Sequence, residues 1–250
     1  MTIRVAVVGA TGKLGRLVVQ VIESAPDLEL FASLDSKSPL PDMIGADVVV
    51  DVTLPAVSPS IVDFAIEHGM NVLVGTSGWS RDRVDALEAK MGDNPATSVL
   101  LVSNFSLGSV LATIFSTVAS RYFDSIEILE VHHPTKADAP SGTAIRTAEL
   151  MGAARKGLKQ LTAPGMDLQS RGSEVAGVPI HSLRLQGVNS KQDVIFGGNN
   201  EVLTISHETL SSQAYEAGIL LALRAAGRCR GVVVGLDKLM ELDLGGMASA

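Results

Sequence analysis

Residues Ile3–Val8 form a nearly all-apolar run that passes straight into Gly9-Ala10-Thr11-Gly12-Lys13-Leu14-Gly15. Apolar residues then recur at helical spacing, at Leu17, Val18, Val21 and Ile22. No other stretch constrains the fold so tightly. A short apolar run of this kind reads as a strand buried on both faces of a parallel sheet. Glycines at its end let the backbone approach a pyrophosphate and let a helix pack closely on the strand. The helix amino end then faces the negative charge. A G-x-x-G-x-x-G pattern alone is a weak signal, but one lying between a first strand and a first helix is a much stronger one.

The rest of the first hundred residues repeats that rhythm. Strands are predicted at Leu28–Leu34, 47–52, Asn71–Val74 and 98–102, with helices at 58–69 and Arg81–Met91 between them. Alternation of this kind argues for a doubly wound, Rossmann-type parallel sheet. The second strand ends at Asp35, twenty residues after Gly15, where an acidic residue can take the ribose hydroxyls of NAD. Lys37 and Lys13 are placed to neutralise a 2′-phosphate instead, so NADH and NADPH both stay open. The small polar turns after the later strands, Gly75-Thr76-Ser77-Gly78 and Ser103-Asn104-Phe105, face the same crevice as the glycine loop and are assigned to the cofactor.

After a long helix at 108–123 the texture changes. A β-branched alternating run, Ser125 to Val131, leads into Glu130-Val131-His132-His133-Pro134-Thr135-Lys136-Ala137-Asp138-Ala139-Pro140-Ser141-Gly142-Thr143-Ala144. An Ala-rich helical pattern follows to Arg155. Two of the five histidines are adjacent here, at a strand's carboxyl end and before a helix amino end. Adjacent residues on a strand point oppositely. Both histidines therefore reach one site only if the strand has ended by His132, and that is the expectation. Residues 157–177 read as a long surface loop, and short β runs at 180–185, 193–196 and 202–207 join the 126–131 strand in a second, mixed open sheet. A last helix at 212–228 and a closing strand and turn at 231–239 complete the chain. The domain expectation is residues 1–104 with 217–250 for the dinucleotide and 105–216 for substrate and oligomer contacts.

Composition narrows the function. A net charge of −7 gives no nucleic-acid footprint. The single cysteine, Cys229, excludes an intrachain disulfide and offers no thiolate metal cluster, and no metal site is expected. No uninterrupted apolar run approaches membrane-spanning length, with Arg224 breaking the longest, so a cytoplasmic setting is the simplest reading.

The stretch from Glu130 to Ala144 closely resembles the signature E-[LI]-H-H-x-x-K-x-D-A-P-S-G-T-A of the dihydrodipicolinate reductases. The likeness extends over essentially the whole chain, through the glycine loop, Gly75 to Gly78 and Ser103-Asn104-Phe105. Ala154-Arg155-Lys156-Gly157-Leu158 is similar to the actinobacterial branch. The resemblance implies NADPH- or NADH-dependent reduction of a cyclic dicarboxylic imine in the diaminopimelate route to lysine, by a homotetramer. It implies that His132 or Lys136 delivers the proton, that His133 lies at the substrate, and that Ser141, Gly142 and Thr143 hold a substrate carboxylate. Those residue types suit the reaction. Hydride addition to an unsaturated imine builds charge that an acid near working pH can quench. A dianion needs cations and helix-start N–H groups. One position departs from the pattern: Ser212 stands where the family often has an arginine three residues before an aromatic, here Tyr215.

Overall fold

The structure is a computed structural model describing residues 2–93, 95–240 and 242. The chain divides into two compact units, the residues up to Leu107 with those from Tyr215 onward, and Gly108–Ala214. Of the sequence-based assignment of 217–250 to the dinucleotide domain, positions 241 and 243–250 lie outside the described residues.

In the first unit, β1 (Ile3–Val8), β2 (Leu28–Leu34), β3 (Val48–Asp51), β4 (Asn71–Val74), β5 (Ser98–Leu101) and β11 (Gly231–Val234) form one sheet in the order β11-β5-β4-β3-β1-β2. All pairs are parallel. The apolar runs are explained by what covers them. Val5, Ala6 and Val7 of β1 and Val48, Val49 and Val50 of β3 are fully buried, as both faces carry helices. Helix α1 (Lys13–Ser24) buries Leu17, Val18, Val21 and Ile22, the residues whose spacing announced it. Helix α2 (Ser58–Glu67) buries Ile61, Val62 and Ala65. Helix α3 (Arg81–Met91) starts at Ser80, whose side chain accepts from the Arg83 N–H, an N-cap that satisfies one orphan donor of the first turn. The last helix is shorter than expected: Ser212–Tyr215 is a 3-10 turn and α6 runs over Glu216–Ala226.

The second unit begins on α4 (Leu107–Ala119) and holds β6 (Ser125–His132), α5 (Gly142–Ala154), β7 (Ser173–Val175), β8 (Val178–Arg184), β9 (Ser190–Gly198) and β10 (Glu201–Thr209). Its mixed sheet has the order β10-β9-β6-β8-β7, with only β6 and β8 parallel. One face packs Ile126, Ile128, Ile180, Val194 and Phe196 against Ala144, Ala148 and Met151 of α5. The expected long loop at 157–177 is interrupted, because Ser173–Val175 pairs with β8 as a hairpin. Arg155, 8% exposed, closes the base of that loop. Its guanidinium donates to the carbonyls of Ser120, Phe123 and Lys159, the last two at 2.7 and 2.8 Å.

Candidate active site

In the first unit the glycine turn is held by the strand beside it. The Gly9 and Ala10 N–H groups donate to the Leu34 carbonyl at 2.9 and 3.1 Å, and Gly12 N–H donates to Gly9 O at 3.0 Å. Gly9 has φ +89°, and a Cβ there would stand 2.6 Å from Val52 O. At Gly15 a Cβ would enter the Gly9 carbonyl, so only glycine lets α1 come this close to the turn. Lys13 opens α1 and is exposed, Leu14 is half-buried, and Arg16 Nε donates to Thr11 O at 2.9 Å. At the end of β2, Asp35 Oδ1 accepts from the N–H groups of Lys37 and Ser38 and from Ser38 Oγ at 2.9 to 3.1 Å. These bonds, the Lys37 N–H foremost, hold its carboxyl below the usual aspartate range.

The turns after β3, β4 and β5 emerge at the same carboxyl edge of the parallel sheet. Gly75 lies against the Phe105 ring, which is buried, and Asn104 Oδ1 accepts from Ser106 N–H at 2.9 Å. Thr76 is buried, its hydroxyl accepting from Thr53 N–H at 2.8 Å and donating to Asp51 O at 3.3 Å. Ser77 and Ser103 are exposed at this edge. Behind the turns, the fully buried Asp51 accepts from Thr53 Oγ1 and N–H and from Ser58 Oγ, and Ser58 in turn accepts from Trp79 Nε1 at 3.0 Å. Thr76 and Phe105 thus use their side chains as internal struts. The glycine cradle, with space that a Cβ would fill and a helix start beside it, fits the pyrophosphate of a dinucleotide.

In the second unit β6 does not stop before His132. His132 is its last residue, in register with Arg184 on β8 and Ser190 on β9. The expectation that the strand ends earlier is therefore corrected: ladders on both sides carry it one residue further. By the two-residue repeat His132 shares the face of Glu130, and the two join, His132 Nδ1 to Glu130 Oε2 at 2.6 Å. His132 Nε2 lies 3.1 Å from Ser190 Oγ. His133, exposed and beyond the strand, bonds through Nδ1 to Thr135 Oγ1 at 2.8 Å. The adjacent rings thus turn to different partners. Lys136, also in the turn, donates to both oxygens of Asp138 at 2.7 and 2.8 Å.

Glu130 is 0% exposed and gathers the site. Arg184 donates to both of its oxygens at 3.0 Å each, and Ser141 N–H donates to Oε1 at 3.2 Å. Burial works to raise its pKa, but hydrogen bonds from Arg184, Ser182 and His132 outweigh it and the carboxyl stays below the ordinary glutamate value. At His132 burial dominates and pulls the imidazole below the ordinary histidine value against the upward pull of Glu130.

Ser141 is the N-cap of α5, its hydroxyl accepting from Ala144 N–H at 3.2 Å. With its own N–H on Glu130, the donors left to a ligand at this helix start are the N–H groups of Gly142 and Thr143. The remaining histidines lie apart: His68 at the end of α2 bonds Phe64 O, His181 pairs with Glu127, and His207 lies on β10. Sequence reasoning gave no role to Glu130, Arg184, Ser190 or Asp51, whose side chains hold these turns and the His132 ring. Glu130 alone left a signal, a carboxylate two residues before a histidine on a buried strand face. Among the described residues no group of His, Cys, Asp and Glu could hold a metal ion, and no helix is long and apolar enough to cross a membrane.

A Rossmann-type sheet with a glycine cradle, joined to a unit carrying an oriented histidine beside an anion-ready helix start, defines a nicotinamide-dependent oxidoreductase. Comparison with known proteins gives the family. Sequence models of dihydrodipicolinate reductase match over residues 3–105 for its N-terminus and 107–240 for its C-terminus. A 4-hydroxy-tetrahydrodipicolinate reductase of Clavibacter sepedonicus is 60% identical over 97% of this chain and 88% of its own. One from Mycobacterium sp. (strain KMS) is 41% identical over 96% and 99%. A solved dihydrodipicolinate reductase from Paenisporosarcina sp. TG-14, with dipicolinate bound, superposes with a TM-score of 0.82 at 28% identity, covering 96% of this chain and all of that one. The chain belongs to the dihydrodipicolinate reductase family and is an NAD(P)H-dependent oxidoreductase.

Proposed function

We propose that the protein reduces 4-hydroxy-tetrahydrodipicolinate to tetrahydrodipicolinate in the diaminopimelate route to lysine, with His132 as proton donor. The observation that carries the residue roles is the Glu130–His132 pair beside Lys136 and the open start of α5. Bound NADH or NADPH supplies the hydride. Loss of the 4-hydroxyl as water leaves an unsaturated cyclic imine, and reduction adds one hydride to the ring and one proton to a neighbouring carbon. His132, as imidazolium, gives that proton from Nε2 while Glu130 steadies the charge. A bound dianion favours this form, raising a pKa that burial alone depresses. Lys136 leaves Asp138 to pair with a substrate carboxylate, assisted by His133. The Gly142 and Thr143 N–H groups take a carboxylate at the helix start, and Ser141 holds that start in place.

For the cofactor, Gly9 to Gly15 receive the pyrophosphate, Asp35 the adenosine ribose, and the turns at Gly75–Ser77 and Ser103–Phe105 the nicotinamide half. A homotetramer is favoured by Leu183, Ile195 and Val202, apolar and exposed on the sheet face away from α5, which further copies of the chain would cover. A cytoplasmic setting agrees with a reaction fed by reduced nicotinamide.

The test is oxidation of NADH and of NADPH, in parallel, with imine made freshly by the preceding synthase. Rapid oxidation of either supports the reading. Cofactor binding without oxidation, in an enzyme whose His132 and Lys136 are intact, overturns it and favours a redox sensor or another imine. Light scattering in solution tests the tetramer.

A further inference from the structure

We infer that Glu130 is a positioning residue that fixes His132 as its Nδ1–H tautomer and ties the same anchor to the start of α5. The inference rests on the role given above to His132 and adds how that role is set. Three elements converge on one buried carboxylate. From β6 comes His132 Nδ1 at 2.6 Å, from β8 the two Arg184 nitrogens at 3.0 Å, and from the cap of α5 the Ser141 N–H at 3.2 Å. A carboxylate only accepts, so the ring nitrogen facing it carries the hydrogen. Nε2 is then the nitrogen that gains and gives a proton, and in the neutral ring it accepts from Ser190 Oγ on β9. Carboxylate–histidine pairs elsewhere set ring orientation and tautomer in this way.

The second consequence is geometric. Ser141 caps α5 with its hydroxyl while its N–H is held by Glu130, so the helix start that offers Gly142 and Thr143 and the ring that offers the proton share one fixed point. The charged groups around His132 are Glu130 on β6, Arg184 on β8, and Lys136 in the turn, whose partner is Asp138. Arg184 and Lys136 both disfavour the imidazolium, and Glu130 is the group that offsets them. Glu130→Gln removes that offset and lets the amide donate to Nδ1, which permits the other tautomer.

The test begins on the full-length enzyme labelled with 15N-histidine, with the His132 signals assigned by their loss in His132→Gln. Long-range 1H–15N correlation at a pH where the ring is neutral is expected to show the Nδ1–H form. The Nε2–H form overturns the inference. In Glu130→Gln, kcat is expected to fall on the order of 10²-fold with cofactor affinity unchanged. The pH at which kcat/KM declines on the alkaline side should move down by about one unit, a tenfold change in proton affinity. A Glu130→Gln enzyme with the wild-type pH midpoint overturns the inference however much activity it has lost. If that variant does not fold, Ser190→Ala decides: it is expected to retain Nδ1–H, and a switch to Nε2–H overturns the assignment to Glu130. The tautomer is read without substrate, so a failure of imine reduction in the wild type is distinguishable from a failure here.

Discussion

Arg184→Met tests whether the Glu130 charge is compensated as the geometry requires. The wild-type guanidinium, 21% exposed, makes two bonds of 3.0 Å to a carboxylate with no exposure. It also donates to the Leu183 and Asp138 carbonyls at 2.6 Å. Removing one partner of a buried ion pair costs roughly 3–5 kcal/mol, because a charge stays behind without compensation. Glu130 keeps His132 Nδ1 and Ser141 N–H, which places the expected loss at the lower end, about 3 kcal/mol. For a chain of this size that corresponds to a fall in the melting temperature of about 6–12 °C. Urea unfolding followed by circular dichroism at neutral pH, with a thermal scan beside it, measures both. The double variant Glu130→Gln/Arg184→Met is expected to recover at least half, since its amide carries no charge to bury. The sign with pH is fixed as well. The folded pKa of Glu130 lies below its ordinary 4.5, so its stabilisation is complete above that value and is lost as pH falls through the folded pKa. The gap between wild type and Arg184→Met should accordingly narrow in acid. A single variant within about 1 kcal/mol of wild type, the range of an exposed pair, would refute the reasoning, as would a double variant no more stable than the single one.

Gly15→Ala, whose Cβ enters the Gly9 carbonyl, is expected to weaken NADH and NADPH binding at least about tenfold in a fluorescence titration; unchanged affinity would show that the turn is not the cradle. Asp35→Ala should raise the preference for NADPH over NADH, read as the ratio of their kcat/KM values, because it removes a carboxylate held ionised where a 2′-phosphate would lie. His132 has a folded pKa below its ordinary 6.5, so its contribution to stability is full above that value and erodes as pH falls and the unfolded chain takes up a proton. His132→Gln should flatten that part of the stability–pH curve while abolishing most turnover, and an unaltered curve would remove the histidine from the balance.

The parallel sheet was readable because burial on both faces leaves an unmistakable run, as in Val48, Val49 and Val50, and because glycine spacing marks the first turn. The second unit was readable as strands, but not in their extent. Alternation fades at His132 and Ser190, which are polar, while the ladder between them continues. The histidine pair and Lys136 stood out by residue type. Their supports did not, because Arg184 reaches Glu130 across a separation of 54 residues and Ser190 reaches His132 across 58. Contacts of that range are made by strand register, and register depends on pairing that no local pattern displays. Asp51 escaped notice for a related reason: nothing in the run from Asp47 to Val52 shows that its carboxylate anchors Ser58, and through it Trp79.

The place of β6 in its sheet has a consequence for how the protein breathes. It is the middle strand of five, paired with β9 on one side and β8 on the other. Edge strands such as β7 and β10 can fray at little cost, but releasing β6 requires two ladders to open together. Amide exchange at Ile128 to Val131 is therefore expected to proceed only through cooperative opening of the whole unit, far more slowly than at β7. His132 is mounted on the last part of its unit to yield, so thermal fluctuation reaches the surrounding turns long before it disturbs that ring.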